Sequence, residues 1–190
     1  MPITDKNYKS FELLVGQAAA GERLVPHDPL EYDDTMKAYK CERSTFSNFY
    51  VSGGKEDCLD VGRETFDCTF QNFMVLSNGQ YVGTIKGGSH RNLFRNWRVL
   101  RHGKTVDFEI GNWSTYNFEK STGNIFENIS SDDGKPVTYC YRLGCKPTVI
   151  NSNMKHLRWR SIGLTVYWHF KYVKHVILKR PDNMGHPTQK

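Results

Sequence analysis

Apolar and polar residues alternate along most of this chain in runs of four to six, each run closed by Gly, Asn or Ser. That is the period of a half-buried strand bounded by turn chemistry. One four-residue pattern recurs: apolar, polar, Asn, apolar. It reads Phe46-Ser47-Asn48-Phe49, then Phe70-Gln71-Asn72-Phe73, Phe94-Arg95-Asn96-Trp97 and Phe126-Glu127-Asn128-Ile129, at steps of 24, 24 and 32 residues. Looser copies are Met154-Lys155-His156-Leu157 and Val173-Lys174-His175-Val176, with His in the Asn slot. A second landmark keeps phase with the first. A glycine turn (Gly54-Lys55, Gly79-Gln80, Gly103-Lys104, Gly134-Lys135) is followed by Leu59-Asp60-Val61-Gly62, Ile85-Lys86-Gly87-Gly88, Phe108-Glu109-Ile110-Gly111 and Tyr141-Arg142-Leu143-Gly144. Trp168-His169-Phe170-Lys171 keeps the shape without the glycine.

A unit of about 24 residues with two or three short strands cannot bury its own apolar face, but stacked on its neighbours it can. The leucine-rich signature is absent, and a propeller blade needs roughly 40–45 residues. The pattern therefore predicts an all-β parallel β-helix of about six coils, at roughly 4.8 Å per coil. Asn48, Asn72, Asn96 and Asn128 are expected in one ladder, continued by His156 and His175, because Asn tolerates left-handed backbone and its amide can bond along the stack. The phenylalanines and Trp97 are expected as two inward stacks. Residues 40–178 form the predicted β-helix. Residues 1–39 divide into a capping helix at 10–20, with Ser10 as N-cap, and a proline-punctuated arm; 179–190 are a polar tail.

The charged slot of the second landmark reads Asp60, Lys86, Glu109, Arg142 and His169 in coil order. Stacked directly, these alternate in sign, which favours one register. The same column offers a catalytic reading, with Asp60, Lys86, Glu109 and Arg142 as the residues concerned. Asp60 and Glu109 would lie about 10 Å apart, the separation of an inverting glycosidase. Against it, Lys86 between them would hold both ionised. A lyase base and cation could be drafted from Arg142, Lys86 and His102, but no spacing demands it. Near the C-terminal end, Arg158, Trp159, Arg160, Trp168 and Tyr172 combine aromatic area with cations, which suits a protein or carbohydrate interface.

Composition narrows the classes. Apolar residues at 38% and aromatics at 13% exclude a disordered chain. A net charge of +6 from scattered basic residues does not indicate nucleic acid. No apolar run reaches the roughly 18 residues of a bilayer span, and the first residues read as no secretory signal, so no membrane partner is expected. Five cysteines without a CxxC read as reduced thiols in a reducing compartment. Gly87-Gly88-Ser89-His90-Arg91 lacks the Lys-Ser/Thr ending of a phosphate loop. No metal or cofactor is expected.

The Phe-x-Asn ladder and the strands EDCLDVGR, VGTIKGGS, VDFEIGN and CYRLG resemble the right-handed parallel β-helix group, the pectate-lyase-like superfamily. The short coils are most similar to bacteriophage virion proteins of decoration, fibre or tailspike type. The resemblance implies a non-catalytic structural or binding protein of a virus particle, assembled in a host cytoplasm. It implies other virion proteins or the chain itself as partners, a trimer by analogy, and a host-surface glycan as a further ligand. A glycan-active lyase or hydrolase, and a non-catalytic glycan-binding module, are the competing classes.

Overall fold

The computed structural model describes residues 9–10, 34–53, 56–62, 64–112 and 119–174. Among the described residues, twelve strands precede one helix: β1 (Lys9–Ser10), β2 (Asp34–Tyr39), β3 (Thr45–Gly53), β4 (Asp57–Gly62), β5 (Thr69–Ser77), β6 (Tyr81–Lys86), β7 (Leu93–Arg101), β8 (Phe108–Asn112), β9 (Ile125–Ser131), β10 (Val137–Tyr141), β11 (Thr148–Ile150), β12 (Met154–His156) and α1 (Arg158–Tyr172). Odd strands form one sheet in the order β1-β3-β5-β7-β9-β11; even strands form the other, β12-β10-β8-β6-β4-β2. Every strand pairing is parallel. The protein is a parallel β-solenoid of about four full turns, with shorter strands at either end.

The register is set by the Phe-x-Asn-Phe motif. Residues i and i+3 of a plain strand point to opposite faces. Here both Phe70 and Phe73 are buried, because Asn72 between them is left-handed at φ +58° and turns a corner. Asn48, Asn96 and Asn128 do the same at +65°, +56° and +56°. Their amides form a continuous column: Asn72 Nδ2 donates to Asn48 Oδ1 at 3.0 Å, Asn96 to Asn72 at 3.1 Å, and Asn128 to Asn96 at 3.1 Å. Inside the corner, Phe46, Phe70, Phe94 and Phe126 stack with centroids 4.9–5.1 Å apart. Phe49, Phe73 and Trp97 stack beside them at 5.1 and 4.5 Å. The two stacks meet edge to face, Phe94 against Trp97 at 5.7 Å. The buried Trp97 indole donates to the Phe70 carbonyl of the coil before, at 2.8 Å.

A second asparagine column is fully buried. Asn92 Oδ1 accepts from Cys68 N–H, and Asn124 Oδ1 accepts from Asn92 N–H, each at 3.0 Å. Their amide nitrogens donate to the Thr65 and Ser89 carbonyls. This ladder satisfies the backbone of the third side of the coil, which has no full strand.

Several expectations are corrected. The solenoid already includes β1 and β2, inside the segment expected as a capping helix and arm, and its last strand ends at His156. The residues expected as the last coil form α1 instead. His156 is not in the asparagine column. It lies in β12, opposite Tyr139, with its ring 4.6 Å from that of Tyr141. The column continues instead toward Asn151: Ile150 pairs with Glu127, so Asn151 follows where Asn128 does, and its φ is +45°. Ser10, expected as a helix N-cap, lies in β1 opposite Tyr50, while His175 and the rest of the helix expected at 10–20 lie outside the described residues.

Replacing Asn96 separates backbone from amide. Asn96→Ala is expected to cost about 1–3 kcal/mol, from left-handed strain and two lost hydrogen bonds. Asn96→Gly removes the same bonds but accepts φ +56° without a Cβ, so it should cost less in urea unfolding. Equal costs for the two would contradict the corner role.

Candidate functional site

The sequence of α1, RWRSIGLTVYWHFKY, is rich in β-branched and aromatic residues, and its first turn carries no acid. Intrinsic propensity does not explain this helix. Its contacts do. Past the end of β12, the Tyr141 N–H at the end of β10 and the Leu143 N–H in the turn after it have no further strand to cover them. Ser161 Oγ accepts from Tyr141 N–H at 3.0 Å, and Thr165 Oγ1 accepts from Leu143 N–H at 2.9 Å. Four helical residues rise about 6.0 Å, close to the span of two residues of extended chain, so hydroxyls at i and i+4 reach both amides. Thr165 also donates to the Ser161 carbonyl at 2.8 Å, and Ser161 Oγ lies 2.8 Å from His156 Nε2. Burial, with Lys146 and Arg158 nearby, lowers the His156 pKa and so favours the neutral ring. The helix therefore caps the final coil.

Trp168, expected at an interface, points inward and is 8% exposed. Trp159 is 85% and Phe170 70% exposed; Ile162, Val166, Tyr167 and Tyr172 are exposed as well. Lys171 Nζ lies 5.1 Å from the Tyr167 ring centroid and 5.4 Å from that of Trp168. Arg158 and Arg160 are exposed at the start of the helix. An apolar face on one side and a hydroxyl-lined contact on the other make α1 the largest exposed apolar feature among the described residues.

The expected column of alternating charges is replaced by another. Asp60 pairs with Thr84, Thr84 with Glu109 and Glu109 with Cys140. Lys86 lies two residues past Thr84, outside this column, and a register shift after Ile85 sets it opposite Asn112. Its ammonium reaches Asp60 Oδ2 at 2.8 Å. Asp60 also accepts from the Tyr39 hydroxyl and, at 3.3 Å, from Thr84. The Tyr39 ring and Lys86 stem lie across Gly62, where a Cβ would come within 3.0 Å of Tyr39 Cε1. Arg142 lies past Cys140 in the sequence, its Cβ beside Gly111 and its guanidinium donating to the Glu119 carbonyl at 3.2 Å.

Glu109 differs from what the sequence suggests. Burial raises its carboxyl pKa, against the Tyr81 hydroxyl and the Lys86 and Arg160 cations, which lower it. Burial and the nearby Glu109 and Asp57 carboxylates push the Tyr81 hydroxyl well up in turn, and the Cys140 thiol is raised to about 12 by burial and Glu109. Lys86 is paired with the Asp60 carboxylate, and Glu109 lies two coils from Asp60 with its pKa raised. Both are covered by neighbouring side chains, Asp60 completely. A glycan could not reach either without moving them.

His102, drafted above as a lyase base, is tied into a turn. Nδ1 lies 2.9 Å from Asp107 Oδ2 and Nε2 lies 3.2 Å from Asp133 Oδ1. Partial burial alone would lower the imidazole, but Asp107 and Asp133 outweigh it, and its pKa is raised. Asp107 also accepts from Gly103 N–H, Thr138 N–H and the Thr138 hydroxyl at 2.7–2.9 Å. Among the described residues, no group of three or more His, Cys, Asp or Glu side chains is placed to hold a metal ion.

Two outcomes follow. Ser161→Ala with Thr165→Val removes both capping hydroxyls at nearly constant shape. Amide exchange at Tyr141 and Leu143 should speed up, with a loss of about 1–3 kcal/mol per uncovered amide. Unchanged protection would show that α1 does not cap. A buried acid with a raised folded pKa is best tolerated protonated, so its contribution falls as pH rises through the unfolded value of about 4.3 and stops falling above the folded one. Glu109→Gln should therefore unfold at an equal or higher temperature at neutral pH, and lose less stability than the parent between about pH 4 and pH 7.

No protein-family model, no curated protein and no solved structure matches this chain.

Proposed function

We propose that this chain is a non-catalytic structural and binding protein of a virus particle, a decoration, fibre or tail component, and that its docking face is the outward side of α1. The observation that carries the reading is the opposition of the two faces of that helix. Ser161, Thr165 and Trp168 fasten it to the rod, while Trp159, Ile162, Val166, Tyr167 and Phe170 are left exposed. A helix held by its polar side keeps its apolar side in place without ordering cost on binding.

The rest of the rod suits a scaffold. Amide columns, aromatic stacks and buried carboxylates lock one coil to the next, and the coils are short. The burial of Asp60 and Glu109 speaks against the glycan-active alternative, although their spacing of about 10 Å remains that of an inverting pair.

Mass spectrometry of purified particles from the source virus should find the protein as a stoichiometric component. Trp159→Glu with Phe170→Glu alters only outward positions. That variant should fold, with unchanged circular dichroism, yet be lost from the particle. Full incorporation of the variant, or absence of the parent protein from particles, would overturn the reading.

A further inference from the structure

The outward face of α1 has a charge pattern as well as an apolar one. At about 100° per residue, Trp159, Ile162, Val166, Tyr167 and Phe170 occupy one sector about 140° wide. Arg160 and Lys171 fall along one border of that sector, and Arg158 and His169 along the other. Lys174 follows at the C-terminal end. No Asp or Glu occurs between Leu157 and Lys174. The opposite sector, with Ser161, Thr165 and Trp168, is the one fastened to the solenoid.

We propose that this face docks on an anionic lipid surface, with α1 lying flat in the interface. The inference rests on the reading of α1 as the binding face. Three observations choose this occupant. The cations border the apolar sector on both sides, which matches a continuous anionic plane. A second copy packed face to face would bring these borders together with no carboxylate to pair them. The exposed aromatics include Trp159 and Tyr167, whose rings have one polar edge and settle at the headgroup boundary, with Phe170 adding apolar area. Finally, an interfacial helix sinks about 5–10 Å, and a helix is about 10–12 Å across, so the apolar sector can enter while the hydroxyl contacts to β10 stay dry and intact. No described helix is long and apolar enough to cross a membrane, and lying on one needs no such length.

The test uses the full chain and vesicles of phosphatidylcholine alone or with about 30% phosphatidylserine. Sedimentation with the anionic vesicles is expected, with a blue shift of tryptophan emission that Trp159→Phe reduces. Binding to phosphatidylcholine alone should be at least about tenfold weaker, and about 0.5 M salt should reverse the anionic binding. Trp159→Glu with Phe170→Glu should reduce affinity at least about tenfold, and so should Arg158→Gln with Arg160→Gln. No binding to anionic vesicles, or binding that these variants leave unchanged, overturns the proposal. A dimer or trimer in light scattering that shields Trp159 from acrylamide would overturn the lipid partner while keeping α1 as the binding face. Shielding of Trp159 in a free monomer would mean that the chain's own terminal segments cover it, and would overturn both. Retention on an acidic protein surface with no lipid binding would again remove only the lipid.

Discussion

The left-handed backbone at one asparagine per coil is the constraint on which the rest of the molecule depends. A strand that continued straight through Phe70-Gln71-Asn72-Phe73 would bury one phenylalanine and expose the other. The corner at Asn72 turns both inward, and the same corner in its neighbours brings Phe46, Phe94 and Phe126 into one stack. A shift of one residue would move every corner off its asparagine and place a side chain such as Gln71 or Arg95 where φ is positive. That costs roughly 1–2 kcal/mol per coil before any packing is lost. The amide column on the outside and the ring stacks on the inside therefore enforce one register, each from its own side of the chain.

With register fixed there, the second sheet is released from that task. It can carry a column that alternating charges would otherwise have had to hold in place. Asp60, Thr84, Glu109 and Cys140 stack in it, three of them polar and all buried. Such a column is costly unless its groups are bonded. Asp60 meets the cost with Lys86, Tyr39 and Thr84, and Glu109 with the Tyr81 hydroxyl and a pKa that burial raises. These buried carboxylates are part of how the coils adhere.

What was legible in the sequence follows the same division. The asparagine corners were readable because Asn recurs at steps of 24, 24 and 32 residues, each time two residues after a Phe and just before an apolar residue. The fifth position, Asn151, was obscured because Val149 stands where the other coils have Phe, although it lies 23 residues beyond Asn128, close to the basic step. The buried Asn92–Asn124 column was hidden because the preceding coil has Cys68 in that slot, whose backbone joins the ladder while its side chain does not. The charge column was misplaced because the register sets Thr84, two residues before Lys86, beside Asp60 and Glu109, so the stretch that matches Leu59-Asp60-Val61-Gly62 is Gly83-Thr84-Ile85-Lys86 and not the glycine-ended one that follows. Glu109's raised pKa depends on what covers it, which no spacing records.

The helix was the largest departure, and its cause bears on function. A surface helix is recognised by an apolar stripe facing the core and polar residues facing water. In α1 the inward side carries Ser161 and Thr165 because its task is to satisfy the Tyr141 and Leu143 amides at the end of a sheet, and such amides require acceptors rather than methyl groups. Once hydroxyls hold the inner face, the remaining apolar residues must point outward. The period then reads as neither helix nor strand. A β-solenoid ended by a hydroxyl-lined helix thus displays an apolar, cation-bordered face as a direct result of how its last hydrogen bonds are met. That is the physical link between the termination of this rod and the apolar surface it presents there.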